Sequence, residues 1–208
     1  MSREPGTSAP LIAIDGPAGA GKSTVSRAVA ERLGLDRLDT GAMYRSVAWE
    51  ALRQGVDPAD QAAVGAIAAA ADISVAKEVA INGVDVTHAI RTPEVSRAVS
   101  IVAANPDVRR ELVARQRRWA GERKGGVVEG RDIGSVVFPD ATLKVYLTAS
   151  PEERARRRHD ESADGVATRD RLDSTRLASP LTQAPDAHVL DTTGRSVEDV
   201  VEEVLSWL

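Results

Sequence analysis

The chain has 208 residues, of which 42% are hydrophobic and 28% are charged, a composition typical of one soluble globular domain. The formal net charge of −4 argues against a general nucleic-acid-binding surface, and the absence of cysteine excludes disulfides and thiolate metal sites. No apolar run approaches membrane-spanning length, so we expect a cytoplasmic protein that binds no membrane.

Residues 1–10 are polar and rich in Pro, Gly and Ser, which predicts a flexible tail ahead of a folded domain over residues 11–208. The domain opens with an apolar run at 11–14 that is typical of a buried strand. Apolar residues at helical spacing then predict a helix over 22–33. The loop between this strand and this helix is rich in glycine.

This loop matches the pattern G-x-x-x-x-G-K-[ST] in the strand–loop–helix setting that the pattern requires. Residues without side chains let backbone N–H groups approach phosphate oxygens, and the helix start adds unpaired N–H groups. Lys22 is predicted to reach the β and γ phosphates of ATP, and the Ser23 hydroxyl to ligate Mg²⁺. The predicted ATP-binding residues are Gly16, Pro17, Ala18, Gly19, Ala20, Gly21, Lys22, Ser23 and Thr24.

The following stretch alternates strands with helices. A short strand around Leu38 precedes helical patterns over 43–52 and 59–71. Residues 73–87 alternate with period two around a turn at Asn82-Gly83, which predicts a small hairpin. Helices are expected from about 93 to 123.

The second half of the chain continues the alternation. Strands are predicted at 127–128, 143–147 and 188–190, with a helix over 151–159 and a C-terminal helix from Val197. Strands separated by helices predict an α/β fold with a parallel sheet covered on both faces. Ligands of such sheets collect at the carboxyl ends of the strands, where Asp15, residues 39–41 and residues 130–132 each follow an apolar run.

Arginines are concentrated between 109 and 131 and again between 154 and 176. Some of them are expected on solvated helix faces. A P-loop enzyme also needs cations to neutralise a transferring phosphoryl group and a second phosphorylated substrate, and arginine suits both tasks. A guanine-reading Asn-Lys-x-Asp segment is absent from the sequence, which argues against a GTPase.

Four strings make the interpretation more specific: LDTGAMYR (38–45), AIRTPEVS (89–96), VVEGRDIGSVVFPDA (127–141) and RDRLDSTRLASPL (169–181). Together they resemble the bacterial cytidylate kinases, which belong to the nucleoside-monophosphate kinases. The resemblance runs from about Leu11 to the C-terminal helix. It implies ATP-dependent phosphorylation of CMP and dCMP in pyrimidine nucleotide metabolism, with Mg²⁺ as cofactor and a monomeric enzyme.

The resemblance also implies a three-layer P-loop fold divided into three parts. The parts are a CORE (11–38, 125–153 and 180–208), an NMP-binding region with the hairpin insert (39–124) and a mobile LID (about 154–179). Between Arg158 and Arg169 the LID is shorter than is usual in the family, and the insert around 75–79 is also short.

Residue roles follow from the same motifs. Thr40, Arg45 and Arg131 are expected to hold the acceptor phosphate, while Ser100, Arg109 and Asp132 are expected to face cytosine. Arg169, Asp173 and Arg176 would reach the sugar and the phosphates from the LID, and Arg154, Arg157 and Arg158 would add positive charge near ATP. The expected catalytic residues are Lys22, Arg131, Arg169 and Arg176.

Cytosine offers an amino donor at N4 and acceptors at N3 and O2, which a carboxylate beside an arginine complements. On local sequence alone there are structural alternatives: Asp132 could be a helix cap or a partner of Arg131, Thr40 a turn or cap residue, and Arg45 a charge on a helix face. Two other functions stay open: a kinase for another small acceptor, and a nucleotide-dependent switch or binding protein.

Overall fold

The computed structural model describes residues 9–157 and 183–208. The strands of this part of the chain are β1 (Leu11–Asp15), β2 (Arg37–Asp39), β3 (Ile73–Val75), β4 (Val79–Ile81), β5 (Val84–Asp85), β6 (Gly126–Glu129), β7 (Leu143–Thr148) and β8 (His188–Asp191). The α-helices are α1 (Lys22–Leu33), α2 (Thr40–Arg53), α3 (Gln61–Ala70), α4 (Pro93–Ala104), α5 (Pro106–Arg123), α6 (Pro151–Arg157) and α7 (Val197–Leu205). Short 3₁₀ and π turns lie at Ala89–Arg91 and Ile133–Val137.

Five strands form a central sheet in the order β2-β6-β1-β7-β8, and every neighbouring pair is parallel. β1 lies in the middle of the sheet because its apolar residues are covered on both faces, as a strand of a parallel sheet requires. The predicted α/β class with a parallel sheet is confirmed.

Each face of the sheet carries its own hydrophobic core. On one face, Leu38 and Val128 pack with the apolar sides of α2, α4 and α5. On the other face, Ile12, Ile14 and Leu147 pack with α1 and α7. The two layers of helices leave the carboxyl ends of β1, β2 and β6 at one open edge.

The insert differs from the predicted hairpin, because it is a three-stranded antiparallel sheet in the order β3-β4-β5. The turn at Asn82-Gly83 is present, and both residues have positive φ (52° and 77°), as a tight turn between twisted strands favours. β3 joins the sheet because Ile73 pairs with Ile81, whose side chain is fully buried against α2 and its neighbours.

Other element boundaries shift for local reasons. Helix α2 begins at Thr40 rather than near Met43, because the Asp39 side chain caps it by accepting from the Ala42 N–H at 3.0 Å. The expected helical stretch of 93–123 divides at Asn105-Pro106, where Asn105 caps α5. Within residues 9–157 and 183–208, every helix is too short or too polar to span a bilayer.

Candidate active site

A cavity of about 610 Å³ opens at the carboxyl edge of the central sheet. One wall is the glycine-rich loop with the start of α1, and the opposite wall is the start of α2 together with residues 129–132 at the end of β6. The N-terminal ends of α1 and α2 both border this space, so backbone N–H groups and helix dipoles favour an anionic ligand there. The two motifs that were predicted to bind phosphates therefore line one cavity.

The glycines of the loop permit close approaches that a side chain would prevent. Gly16 has a φ of 144°, and a Cβ at this position would overlap the carbonyl oxygen of Leu147. A Cβ on Gly19 would lie 2.6 Å from the carbonyl oxygen of Arg154. The loop thus packs closely between β7 and α6, and part of it lines the cavity.

Lys22 and Arg154 both bond to the backbone of this loop. Lys22 Nζ donates to the carbonyl oxygen of Pro17 at 2.8 Å, which folds the lysine back over the loop. Arg154 Nη1 donates to the carbonyl oxygen of Ala18 at 3.3 Å. Of the predicted ATP-binding residues, Ala18, Gly19 and 21–24 line the cavity, while Gly16, Pro17 and Ala20 are not among its lining residues.

The residues expected to hold the acceptor phosphate lie on the opposite wall, each fixed by a hydrogen bond. Thr40 Oγ1 donates to the carbonyl oxygen of Glu129 at 2.7 Å, and Arg131 Nη1 donates to the carbonyl oxygen of Gly16 at 2.9 Å. Arg45 Nη1 donates to the carbonyl oxygen of Ile90 at 2.9 Å. These bonds place a hydroxyl and two guanidinium groups around one end of the cavity.

Arg109 and Asp132 form a buried ion pair in the same wall. Arg109 Nη2 donates to Asp132 Oδ2 at 2.5 Å, and the two residues are only 7% and 6% exposed. Asp132 therefore pairs with Arg109, and its side chain caps no helix, whereas Asp39 rather than Thr40 caps α2. Ser100 is buried on α4 but is not among the described residues that line the cavity, although its neighbours Val99 and Ala103 are.

The glutamate that ends β6 was missed by the sequence interpretation. Glu129 is 2% exposed, lines the cavity, and accepts from Arg37 Nη1 at 2.6 Å. Burial raises the pKa of this carboxyl, the nearby charge of Asp39 raises it further, and Arg37, Lys22 and Ser23 oppose the shift. A carboxylate that ends a fully buried apolar strand is the signal that points to such a residue.

A second buried carboxylate, Asp15 at the end of β1, supports the loop that carries Arg131 and Asp132. Its Oδ1 accepts from the Ile133 N–H at 2.8 Å, and its Oδ2 accepts from the Gly134 N–H at 2.7 Å. Burial raises the pKa of Asp15 to about 6, against the lowering effect of these two hydrogen bonds. Asp15 thereby fixes the backbone that follows Asp132.

The predicted LID residues divide into two groups. Arg157 lines the cavity beside the glycine-rich loop, and Arg154 contacts that loop. The others lie outside the described residues: Arg158, Arg169, Asp173 and Arg176.

A family model and several similar proteins all point to the same family of kinases. A family model for cytidylate kinase matches residues 12–208. The chain is 50% identical to the cytidylate kinase of Solibacter usitatus, over 94% of this chain and 90% of that protein, and 50% identical to that of Pelotomaculum thermopropionicum, over 95% of each. It is 52% identical to a bifunctional pantoate ligase/cytidylate kinase of Synechococcus sp., but it spans only 44% of that longer protein.

Solved structures show likeness at the level of the fold. A gluconokinase from Sinorhizobium meliloti superposes with a TM-score of 0.52 at 15% identity, covering 95% of this chain and 90% of that one. A sugar kinase from Janibacter sp. superposes with a TM-score of 0.51 at 13% identity, covering 95% and 93%.

Proposed function

The chain belongs to the cytidylate kinase family, and on that premise we propose that it transfers the γ-phosphoryl group of ATP to CMP and dCMP. The observation that carries the choice of acceptor is the buried Arg109–Asp132 pair, which lies in the same cavity as the phosphate-binding loop. Cytosine presents an amino donor next to ring acceptors, and a carboxylate beside a guanidinium complements that pattern. Uracil presents the opposite pattern, a donor at N3 and an acceptor at O4, so the pair disfavours the binding of uracil.

The transfer requires positioning and charge neutralisation rather than covalent chemistry. The attacking oxygen belongs to the acceptor phosphate and is already anionic, so no side chain has to act as a strong base. Thr40, Arg45 and Arg131 would hold that phosphate in line with the donor, while Lys22 would neutralise the β and γ oxygens of ATP. From the LID of about residues 154–179, Arg169, Asp173 and Arg176 would reach the sugar and the phosphates, and we propose Arg169 and Arg176 as catalytic cations.

The residues around Ser23 fit a magnesium ion that arrives with ATP. The Ser23 hydroxyl and the carboxylates of Asp39 and Glu129 line one part of the cavity and offer the oxygen donors that Mg²⁺ prefers. Within residues 9–157 and 183–208, His, Cys, Asp and Glu form no cluster of three or more that could hold a metal ion. Mg²⁺ commonly binds one or two protein oxygens together with substrate phosphates and waters, and it neutralises phosphate charge.

An assay of ADP release over several acceptors tests the proposal. CMP and dCMP should support rapid, Mg²⁺-dependent ADP formation, and UMP, AMP, shikimate or water alone should support little. Preference for another acceptor would indicate a different small-molecule kinase, and slow release without any acceptor would indicate a nucleotide-dependent switch. We also propose a monomeric enzyme that acts on soluble nucleotides in the cytoplasm.

A further inference from the structure

Thr192, directly after β8, joins three separate parts of the ATP side of the cavity. Thr192 is 3% exposed, and its backbone N–H donates to the carbonyl oxygen of Thr148 at 2.9 Å. Its hydroxyl lies 3.2 Å from the carbonyl oxygen of Ala20, in the glycine-rich loop, and 3.0 Å from that of Thr148. The hydroxyl also accepts from Arg157 Nη1 at 2.8 Å.

The contacts with Thr192 fix the guanidinium of Arg157 in one plane and one place. Arg157 Nη1 donates to Thr192 Oγ1 and Nη2 to the Thr192 carbonyl oxygen, both at 2.8 Å, while Nε donates to Glu153 Oε1 at 2.8 Å. The guanidinium lies beside the loop, since a Cβ on Gly21 would be 3.6 Å from Nη1. A guanidinium carries five N–H donors, so these three contacts leave two donors for an anion in the cavity that Arg157 lines.

We propose that Thr192 is a positioning residue for ATP, and that it acts by holding Arg157 against the glycine-rich loop before the nucleotide binds. The proposal rests on the proposed function, because it takes ATP as the ligand of this loop. Arginine has a flexible side chain, and ordering it costs conformational entropy. Because Thr192 orders the guanidinium in the folded protein, that cost is not met again on binding, which strengthens the charge-assisted contacts to phosphate.

If Thr192 had a purely structural role, its substitution would affect the stability of the sheet edge and not the binding of ATP. The backbone bond from Thr192 N to the Thr148 carbonyl oxygen already joins β8 to β7, and it persists in any substitution other than proline. The side-chain hydroxyl contacts both the loop and Arg157 Nη1, whereas the bond from Arg157 Nη2 to the Thr192 carbonyl oxygen is independent of the side chain. Removing the hydroxyl while keeping the shape of the side chain therefore separates nucleotide positioning from the general integrity of the sheet edge.

The test compares Thr192→Val, Thr192→Ser and the neighbouring Thr193→Val. Valine removes the hydroxyl at nearly constant volume, and serine keeps it. Thr193 is the matched control, because its exposed hydroxyl bonds to Asp191 and to the Ser150 N–H and contacts neither Arg157 nor the loop. Binding of the β,γ-imido analogue of ATP with Mg²⁺ is measured by calorimetry, followed by KM for ATP and for CMP.

We expect T192V to raise the Kd of the ATP analogue and the KM for ATP about tenfold, as loss of a hydrogen bond to a charged group does. The KM for CMP should stay within about twofold, and T192S and T193V should both bind the analogue like the parent protein. In an Arg157→Ala background, T192V should add little, because the two residues act as one unit. Equal effects of T192V and T193V, or a lower Tm with unchanged analogue binding, would overturn the proposal.

A second variant and a separate measurement of binding and transfer make the test independent of the folding of T192V and of the identity of the acceptor. Should T192V fail to fold, Arg157→Lys tests the same contact from its other end, since lysine keeps the charge but lacks the planar fork. An unchanged Kd for the analogue in that variant would count against the proposal, and a similar rise would support it. If the parent protein binds the analogue but does not phosphorylate CMP, the proposed acceptor is wrong, while the comparison of Thr192 variants still decides the positioning role.

Discussion

Arg109 Nη2 lies 2.5 Å from Asp132 Oδ2, so the two residues expected to recognise the base are also each other's partner. Both are buried in the wall of the cavity, where a charge is tolerated only if it is paired. The pair leaves a second carboxylate oxygen on Asp132 and further N–H donors on Arg109. The pairing thus fixes an acceptor and a donor side by side, in an arrangement suited to the N4, N3 and O2 edge of cytosine.

Replacing Asp132 by Asn should reduce the preference for CMP over UMP. The new amide can donate as well as accept, and uracil O4 can receive that donation, whereas the cytosine amino group loses a charged acceptor. A polar contact of this kind contributes about 1–3 kcal/mol, so the ratio of kcat/KM for CMP and UMP should fall by roughly ten- to a hundredfold. Steady-state kinetics with the two substrates measure this ratio.

The CMP/UMP ratio of kcat/KM also distinguishes direct recognition of the base by Asp132 from an indirect role in which Asp132 only holds Arg109. If Asp132 serves only to hold Arg109 in place, both substrates should lose activity by a similar factor and the ratio should not change. Such a result would leave the kinase assignment intact but would remove Asp132 from the base-binding site.

Lys22→Ala should abolish phosphoryl transfer and leave the fold unchanged. The substitution removes a charge from the phosphate site and a bond to the Pro17 carbonyl oxygen, but nothing from either hydrophobic core. We expect a loss of about 3 kcal/mol or more of transition-state stabilisation, comparable to removing a preorganised electrostatic donor. The measurement is kcat/KM with CMP, with a thermal melt to verify folding, and near-normal turnover would exclude this loop as the catalytic site.

Much of the fold could be predicted because hydrophobic periodicity is local. The helix over 22–33 and the strands around 11–14 and 143–147 each follow from a few neighbouring residues. The insert was predicted as a hairpin over 73–87, but the separation of β3 from β4 was not predicted, because it depends on the pairing of Ile73 with Ile81 across the turn between these strands.

In the candidate site too, local motifs could be predicted and contacts between distant residues could not. The glycine-rich loop is a contiguous motif, and it was found. Glu129 and Thr192 lie far apart in the sequence, and they come together beside the loop only because β6 and β8 end there. Tertiary convergence of this kind leaves no short-range signal, apart from a polar residue at the end of a buried strand.

Gly130→Ala should damage the acceptor side of the site, whereas Gly121→Ala should stabilise the protein. A Cβ on Gly130 would lie 2.6 Å from Ile133 Cδ1 and 2.8 Å from Thr40 Oγ1, so it would displace the hydroxyl expected to hold the acceptor phosphate. Strain of this type costs about 1–3 kcal/mol. Gly121 lies inside α5 with open space around it, and alanine there should add about 0.5–1 kcal/mol of helix stability.

Urea unfolding and KM for CMP in both glycine variants check this prediction. G130A should be less stable and should show a raised KM, while G121A should be more stable with unchanged kinetics. An unaltered KM for CMP in G130A would indicate that Thr40 does not contact the acceptor.

Asp15→Asn should change how the stability of the protein depends on pH. The carboxylate accepts from the N–H groups of Ile133 and Gly134, and an amide can accept only with its oxygen, so the variant loses one of these bonds at neutral pH, at a cost of about 1–3 kcal/mol.

The sign of the pH effect follows from the pKa of Asp15, which burial raises from 3.8 to about 6 in the folded protein. Between these two values the folded state binds more protons than the unfolded state, so the contribution of this carboxyl to stability is present below about pH 4 and decreases as pH rises through 6. Asparagine does not titrate, and subtracting the two proteins cancels all other groups. The free energy of unfolding of the parent minus that of D15N should therefore decline between pH 4 and about 7, by up to about 3 kcal/mol, because one pKa unit corresponds to about 1.4 kcal/mol. Urea titrations at half-unit pH intervals measure this difference, and two parallel curves would show that Asp15 does not hold a proton to higher pH in the folded protein.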